Sequence, residues 1–422
     1  MPASLHRRMG YIFGRLNTDL FRKEAAYLQE TYSINDEKSY RKLSKTFRFY
    51  KFAALFLCII FVLGGSVVFK DDISVENFRY LLKYLDLNAS DITNQNAQIS
   101  FDVADASGRT AGLYRNDLVL VDQNNFEVFD FHNGKVFNDT FSMSHPTLSI
   151  SSRYAMIYDL SGKQLRLYNS FSLLKEQTYE YPIFCADVDN YGQYAVATSE
   201  KNYHCAVYVY NASLQQVFKW LSADKYVSDI ALSDDSSQLL SIASVRANEG
   251  DFVSDLLLFH TDRSEDRKSW SFPGELPLKT YVDSSYVRLL TDHALHTVNI
   301  DTGEITTVSF DREQLKKYFF SPEYSVLVLD DNTVGANQLA LICDRAGQQV
   351  RSYNTLHTIQ SLECYEDQVF FFHSRQLCRL DISGGECVTY DLDGEYTQFF
   401  ATGPRSVVLV EPGGARVCVW DK

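Results

Sequence analysis

The feature that most restricts the fold of this chain is a pattern that recurs roughly every forty residues, the period of propeller blades. Each copy has a polar turn followed by an apolar strand, and most continue into a second apolar strand and another polar turn. Apolar and polar residues alternate with a period of two, which indicates strands. The eight copies begin at Arg115, Ser151, Asn190, Asp234, Asp283, Ser321, Cys364 and Gly403. We therefore predict an all-β fold, an eight-bladed β-propeller.

The last copy ends after its third strand, at Trp420. A blade has four strands, and an unpaired outer edge would promote aggregation. The segment Gln98–Val103 precedes the first copy and can supply the missing strand, which would close the ring between the two ends of the domain. Seven blades is the alternative, because the first and the closing copies are the least regular.

A second feature, the apolar run of residues 52–69, contains no charged, Asn, Gln, His or Pro side chain and is long enough to cross a bilayer. Of the 40 Lys and Arg residues, 11 precede the run and 29 follow it, whereas of the 54 Asp and Glu residues 5 precede and 49 follow. The positive-inside rule then places the N-terminus in the cytoplasm and the large C-terminal part outside the cell membrane. The long segment before the run and the bulky Val67, Val68 and Phe69 at its end favour a signal anchor over a cleaved signal peptide.

These boundaries divide the chain into four parts: a basic cytoplasmic segment at 1–51, a transmembrane signal anchor at 52–69, a helical stalk and linker at 70–96, and an extracytoplasmic propeller at 97–422. Within the first part, apolar residues of 9–31 recur at spacings typical of an amphipathic helix. Such a helix would contact the inner leaflet or a cytoplasmic partner. Alternatively, the segment only determines topology.

The repeats resemble those of the WD-type and quinoprotein-type propeller superfamily. The basic N-terminal segment, the anchor, the stalk sequence SVENFRYLLKYLD and the strands that end in YD, VN or LD are together similar to the domain of unknown function 5711 family. This uncharacterised bacterial family has single-pass membrane-anchored propellers, so the resemblance implies a cell-envelope protein and no particular reaction. The chain lacks the regular Gly-His and Trp-Asp pairs of WD repeats, apart from VWD at Val419.

Seven of the eight cysteines follow the apolar run, an odd number that cannot pair completely. If Ser383 and Gly384 form a hairpin tip, Cys378 faces Thr389 and is a diagonal neighbour of Cys387, which is a poor position for a disulfide. We therefore expect buried free thiols. A calcium loop at residues 187–192 would lack its closing Glu, and the segment falls where a blade turn is expected.

No pattern for catalysis, a metal or a cofactor occurs: there is no HExxH motif, no GxSxG motif and no CxxC pair. After the apolar run, acidic residues outnumber basic ones, and this excess of negative charge argues against nucleic acid as a partner. Two functions remain. The first is a membrane-tethered, noncatalytic scaffold that binds another envelope protein or a wall component. The second is a quinoprotein-like or hydrolase-like enzyme with its site in the propeller channel, where Asp187, Asp189 and Glu363 are the available residues.

For the scaffold, we predict the binding surface from loop length. The loops between the second and third strands are short in most copies but long at 199–203, 246–252 and 331–338, and all such loops emerge on one face of a propeller. Enlarged loops on a rigid scaffold often carry binding residues, although length variation without function is the alternative. The candidate partner-binding residues are Lys201, Asn202, Tyr203, Glu249, Asp251, Phe252, Asp331, Asn332 and Asn337.

Overall fold

The computed structural model of the chain describes residues 47, 49–57, 98–100, 109–115, 117–131, 134–169, 172–248, 250–263, 268–331 and 337–420. Two compact units are present, Met1–Ser74 and Val75–Lys422. In the first unit, residues 49–57 are helical and mostly exposed. Within the described ranges, no helix has both the length and the apolar character needed to span a membrane. The rest of the predicted anchor, the predicted amphipathic helix and the predicted stalk lie outside the described residues.

The second unit is an eight-bladed β-propeller of four-stranded antiparallel sheets, as the repeat predicts. Each blade is numbered by its position in the chain, and a short strand, β1 (Gln98–Ser100), precedes blade 1. Blade 1 contains β2 (Thr110–Tyr114), β3 (Asp117–Val121), β4 (Asn125–Asp130) and β5 (Gly134–Thr140), and blade 2 contains β6 (Pro146–Ile150), β7 (Ala155–Asp159), β8 (Gln164–Tyr168) and β9 (Leu173–Thr178). Blade 3 contains β10 (Ile183–Val188), β11 (Tyr194–Glu200), β12 (Tyr203–Tyr210) and β13 (Gln216–Ser222), and blade 4 contains β14 (Lys225–Leu232), β15 (Leu239–Asn248), β16 (Asp251–His260) and β17 (Lys268–Pro273).

The remaining blades continue the same order along the chain. Blade 5 contains β18 (Pro277–Val282), β19 (Tyr286–Thr291), β20 (Ala294–Asn299) and β21 (Ile305–Ser309), and blade 6 contains β22 (Leu315–Phe320), β23 (Tyr324–Asp331), β24 (Asn337–Asp344) and β25 (Gln349–Thr355). Blade 7 contains β26 (Ser361–Tyr365), β27 (Gln368–His373), β28 (Gln376–Asp381) and β29 (Val388–Asp391), and blade 8 contains β30 (Gln398–Gly403), β31 (Ser406–Glu411) and β32 (Gly414–Val419). The first strands of neighbouring blades contact one another around most of the ring, so these inner strands surround the central channel.

Burial explains why the sequence pattern differs from strand to strand. The second strands are covered on both faces by neighbouring blades, so β3 and β7 are buried at every residue and read as continuous apolar runs. The outer strand β21 has one face in water and alternates between exposed and partly buried residues. The apolar core is divided among the blade interfaces. One cluster joins blades 3 and 4, and another joins blade 8 to blade 1.

The ring closes as predicted, because β1 is the outer strand of blade 8. β1 pairs antiparallel with β32 through Gln98, Ile99 and Ser100, and Ile99 is 3% exposed in the core between blades 8 and 1. The first strand of the domain thereby completes the last blade. Gly414 permits this pairing, because a Cβ atom at that position would lie 2.5 Å from the carbonyl oxygen of Ile99.

The expectation of free thiols was wrong for one pair. Cys378 and Cys387 form a disulfide, with a Cα–Cα distance of 6.1 Å that lies within the usual range of about 4.4–6.8 Å. Cys378 faces Thr389, as the hairpin register predicts. However, Cys387 immediately precedes β29, beyond the last ladder pair, so its backbone is free to approach. Within the described part of the chain, the free thiols are Cys185, Cys205, Cys343, Cys364 and Cys418.

Candidate functional site

The antiparallel order of the strands gives the propeller two different faces. One, which we call the hairpin face, carries the connections from second to third strand and from each blade to the next. The other, which we call the turn face, carries the connections from first to second and from third to fourth strand. Those predicted binding residues that the structure describes belong to the hairpin face.

The turn face is held together by hydrogen bonds between neighbouring blades. A bond of this kind links every successive pair from blade 1 to blade 8, and each involves a first-to-second turn. The bonds run from Tyr114 Oη to the Arg153 carbonyl (2.5 Å), Ser152 N to Asn190 Oδ1 (2.7 Å), Asn190 Nδ2 to the Asp234 carbonyl (3.2 Å), Ser284 N to Asp235 Oδ2 (2.7 Å), Arg288 Nη2 to the Pro322 carbonyl (2.6 Å), Tyr324 Oη to Asp367 Oδ1 (2.7 Å) and Arg379 Nη1 to the Pro404 carbonyl (3.0 Å). These polar groups of the turn face therefore hold neighbouring blades together.

Exposed apolar side chains occur at both faces, but those of the hairpin face include two aromatic rings on neighbouring blades. On the described propeller surface, the exposed large apolar residues of the hairpin face are Leu160, Tyr203, Tyr226, Leu276, Leu278 and Leu356, and all but Leu356 lie on the consecutive blades 2 to 5 or their connections. The turn face has Tyr191 and, at the start of four separate outer strands, Val217, Ile305, Val350 and Val388, whereas Tyr318 lies on the inner strand β22. Contiguous exposed apolar surface marks sites of interaction, whereas single exposed residues need no explanation. The hairpin face is therefore the better candidate for binding.

In blade 3, the predicted long loop is an extended hairpin. Glu200 pairs with Tyr203, which leaves Lys201 and Asn202 as a two-residue turn, and Asn202 has a φ of 67° that suits such a turn. Tyr203 is 41% exposed at the tip. The next residue, His204, stacks on Tyr226 of blade 4 with ring centroids 4.4 Å apart. The hairpin thus brings exposed aromatic rings of two blades together.

The blade 4 hairpin is the longest, because β15 and β16 pair over their entire length as far as Asn248 and Asp251. The predicted Glu249 lies outside the described residues, Asp251 is exposed, and Phe252 is only partly exposed. Asp255, 3% exposed, anchors the hairpin. Burial would raise the pKa of Asp255, but hydrogen bonds from Lys225, Ser271 and Arg246 hold it below its usual range.

The third predicted segment, in blade 6, is also part of a hairpin, since Asp331 pairs with Asn337. Residue 332 and the four that follow it lie outside the described residues, which includes the predicted Asn332. Asn337 is partly buried. The structure therefore places the blade 3 and blade 4 candidates on neighbouring blades, and it places those of blade 6 beyond blade 5.

The channel contains a polar cluster on four consecutive inner strands, β6, β10, β14 and β18. Asp187 accepts hydrogen bonds from Ser149 Oγ (3.0 Å) and from the backbone N–H of Leu232 (2.9 Å). Asp229 accepts from Lys279 Nζ (3.0 Å) and from the N–H of Thr280 (2.9 Å). Each carboxylate therefore binds the inner strand of the next blade.

Burial sets the charges in this cluster. It raises the pKa of Asp187 and raises that of Asp229 to about 6. Burial would lower the pKa of Lys279, but the charges of Asp229 and Asp187 raise it, so the ammonium group keeps its proton. A protonated lysine paired with a carboxylate is a poor nucleophile or base. The cluster thus stabilises the ring and gives no support to channel catalysis.

Of the other two channel candidates, Asp189 has a structural explanation. Asp189 accepts hydrogen bonds from the N–H groups of Tyr191 and Gln193, both at 2.8 Å, and so closes a first-to-second turn. Glu363 lies on β26, where burial raises its pKa to about 8. No group of three His, Cys, Asp or Glu residues in the described ranges is arranged to hold a metal.

The raised pKa of Glu363 predicts a pH-dependent effect of Glu363→Gln. The folded protein keeps this proton up to about pH 8, whereas an unfolded chain releases it near 4.5, so the glutamate destabilises the fold progressively between those values. The variant should match the parent at pH 4 and melt several degrees higher at pH 8, as measured by calorimetry. Glu395→Gln is the control, since the Glu395 side chain is 89% exposed. An equal Tm difference at both pH values would contradict the assignment.

Sequence reasoning missed Lys279, Asp229 and Tyr226. Asp229 and Lys279 are 50 residues apart, and nothing local indicates that they pair. Tyr226 begins an inner strand, where an aromatic residue usually packs in the core. The only sequence signal for Asp229 and Lys279 is a charge within a strand that should face the channel.

The fold and these faces define the chain as an eight-bladed β-propeller without a recognisable catalytic centre in the described residues. More specifically, residues 88–418 match the model of DUF5711, a family of unknown function, and the chain belongs to that family. No curated protein matches the sequence. Among solved structures, the chain is similar to BamB from Moraxella catarrhalis, with 10% identity, a TM-score of 0.50, and coverage of 78% of this chain and 99% of that one. Sqt1 from Chaetomium thermophilum is 13% identical with a TM-score of 0.51, over 77% of this chain and 98% of that one. At these identities the likeness concerns the fold alone.

Proposed function

We propose that this protein is a membrane-tethered, noncatalytic scaffold of the bacterial cell envelope whose hairpin face binds another envelope protein. The observation that carries the binding role is the pair of exposed aromatic side chains, Tyr203 and Tyr226, which the stacking of His204 on Tyr226 brings together on neighbouring blades of the hairpin face. Aromatic residues such as Tyr203 and Tyr226 supply large contact area at low entropic cost and are enriched at interfaces.

Two observations support the location. The apolar run at 52–69, with basic residues before it and acidic residues after it, favours a single membrane pass with a cytoplasmic N-terminus and an extracytoplasmic propeller. The Cys378–Cys387 disulfide favours an oxidising compartment, since such bonds are rare in the cytosol. The basic N-terminal segment would then contact the inner leaflet.

The experiment that tests this proposal places a photo-crosslinking amino acid at Tyr203 or Tyr226 in the full-length protein in intact cells. We expect a discrete crosslinked species from both positions, because both side chains are exposed on the hairpin face. Tyr191, 53% exposed on the turn face, is the matched control and should give none. Protease added to protoplasts should remove the species if the propeller lies outside the membrane. Crosslinks from Tyr191 alone, or species that resist protease, would contradict the proposal.

A further inference from the structure

An open cavity lies on the hairpin face at blade 7, beside the connection from blade 6, and the partner surface described above does not include it. Its volume is about 580 Å³, within the range of about 300–1,000 Å³ that is typical of small-molecule sites. The connection between the two blades, the second-to-third turn of blade 7 and the end of β29 form its wall. The lining residues are His357, Thr358, Gln360, His373, Ser374, Arg375, Gln376, Asp391 and Leu392.

The buried residue of this cavity is His373, whose ring is 5% exposed. Its Nδ1 lies 3.2 Å from the carbonyl oxygen of Thr358, and a carbonyl only accepts, so Nδ1 carries the hydrogen. In the neutral ring, Nε2 is then an acceptor, and it has no hydrogen-bond partner among the described residues. Burial lowers the pKa of His373, which keeps the ring neutral. An unpaired buried acceptor costs free energy that a donor on a ligand would recover.

The other polar groups restrict the charge of a ligand. Asp391 accepts a hydrogen bond from Gln376 Nε2 at 2.8 Å and presents a carboxylate, which disfavours anions. The Arg375 side chain is 74% exposed and lies 3.8 Å from the carboxylate of Glu395, and its guanidinium balances the charge of Asp391, so the cavity favours neither sign of ligand charge. Hydroxyl groups both donate and accept, so a neutral ligand with several hydroxyls satisfies both side chains and His373 Nε2.

We propose that this cavity binds a neutral polyhydroxyl ligand, a sugar unit, which donates hydrogen bonds to His373 Nε2 and Asp391 and accepts one from Arg375. The exposed His357 ring lies edge-on to His373, with centroids 5.8 Å apart. Because His373 Nε2 is buried, the proposal requires the His357 ring to move when the ligand binds. The site does not depend on membrane tethering or on a protein partner.

Saturation-transfer NMR on the purified full-length chain, in a detergent that carries no sugar, tests the proposal. The probes are D-glucose, D-galactose, D-mannose and N-acetyl-D-glucosamine, with inorganic phosphate and 1,4-diaminobutane as charged alternatives. We expect saturation transfer to at least one sugar and none to the two ions. His373→Phe removes the acceptor while keeping a ring, and it should abolish the signal.

Asp391→Asn is the second variant, because a substitution at this exposed residue preserves the fold even if His373→Phe does not. It should weaken sugar binding at least tenfold. His204→Phe, which changes another exposed histidine of the hairpin face, should leave binding unchanged. Absence of transfer to all four sugars, transfer to phosphate or diaminobutane instead, or full binding by Asp391→Asn would each overturn the proposal.

Discussion

Deletion of Gln98–Val103 should lower the Tm sharply and make the protein aggregate, because it removes the outer strand of blade 8. The deletion leaves the backbone groups of β32 unpaired along an exposed edge, which is a template for pairing with other chains. It also removes Ile99 from the core between blades 8 and 1, at a cost of about 2–5 kcal/mol for a buried isoleucine. Calorimetry and light scattering measure the two effects.

A deletion of equal length at residues 88–93 is the matched control, since it shortens the predicted linker and leaves the closing strand intact. This control should keep the Tm and the monodispersity of the parent. If the Gln98–Val103 deletion were as stable as the control, the ring would have to close in another way.

Replacement of Arg288 by Met should destabilise the protein by about 1.5–3 kcal/mol, the range for losing hydrogen bonds made by a charged group. Arg288 is completely buried, and its Nη1 donates to the carbonyl oxygens of Ser321 (3.0 Å) and Tyr324 (3.2 Å), while Nη2 donates to that of Pro322 (2.6 Å). Its guanidinium also lies over the ring of Tyr281, 4.6 Å from the centroid. Methionine fills a similar volume but removes the donor of the Ser321 and Pro322 carbonyl groups, whereas the Tyr324 carbonyl still accepts from the N–H of Ser321.

Urea denaturation gives the free energy of unfolding of this variant. Arg375→Met is the control, because the Arg375 side chain is 74% exposed and its loss should change stability by about 0.5 kcal/mol or less. A loss for Arg288→Met no larger than that of the control would show that the turn face does not depend on this residue.

The repeat pattern was sufficient to predict the architecture, because each blade repeats the same order of buried apolar strands and polar turns. It also predicted the closing strand, since a blade with an unpaired edge is unstable. The lengths of the hairpins were not predictable. Arg246–Asn248 and Asp251 are polar and read as a loop, but they extend the β15–β16 ladder beyond the apolar part of the strands.

Contacts between residues that are far apart in the chain also could not be predicted from the sequence. The pairing of Lys279 with Asp229 joins inner strands of two blades, and the stacking of His204 on Tyr226 depends on how those blades are oriented. The disulfide likewise could be predicted only in part. The register of Cys378 was predicted correctly, but the position of Cys387 depends on where the ladder ends.

The most direct test of the central claim is chemical crosslinking in intact cells with the double variant Tyr203→Ala and Tyr226→Ala. Both side chains are exposed, so their loss should change the Tm by no more than a few degrees. If the hairpin face binds the partner, the variant should lose the crosslinked species of the parent, whereas Tyr191→Ala should retain it. Undiminished crosslinking in the double variant, with loss in Tyr191→Ala, would place the binding surface on the turn face and contradict the account.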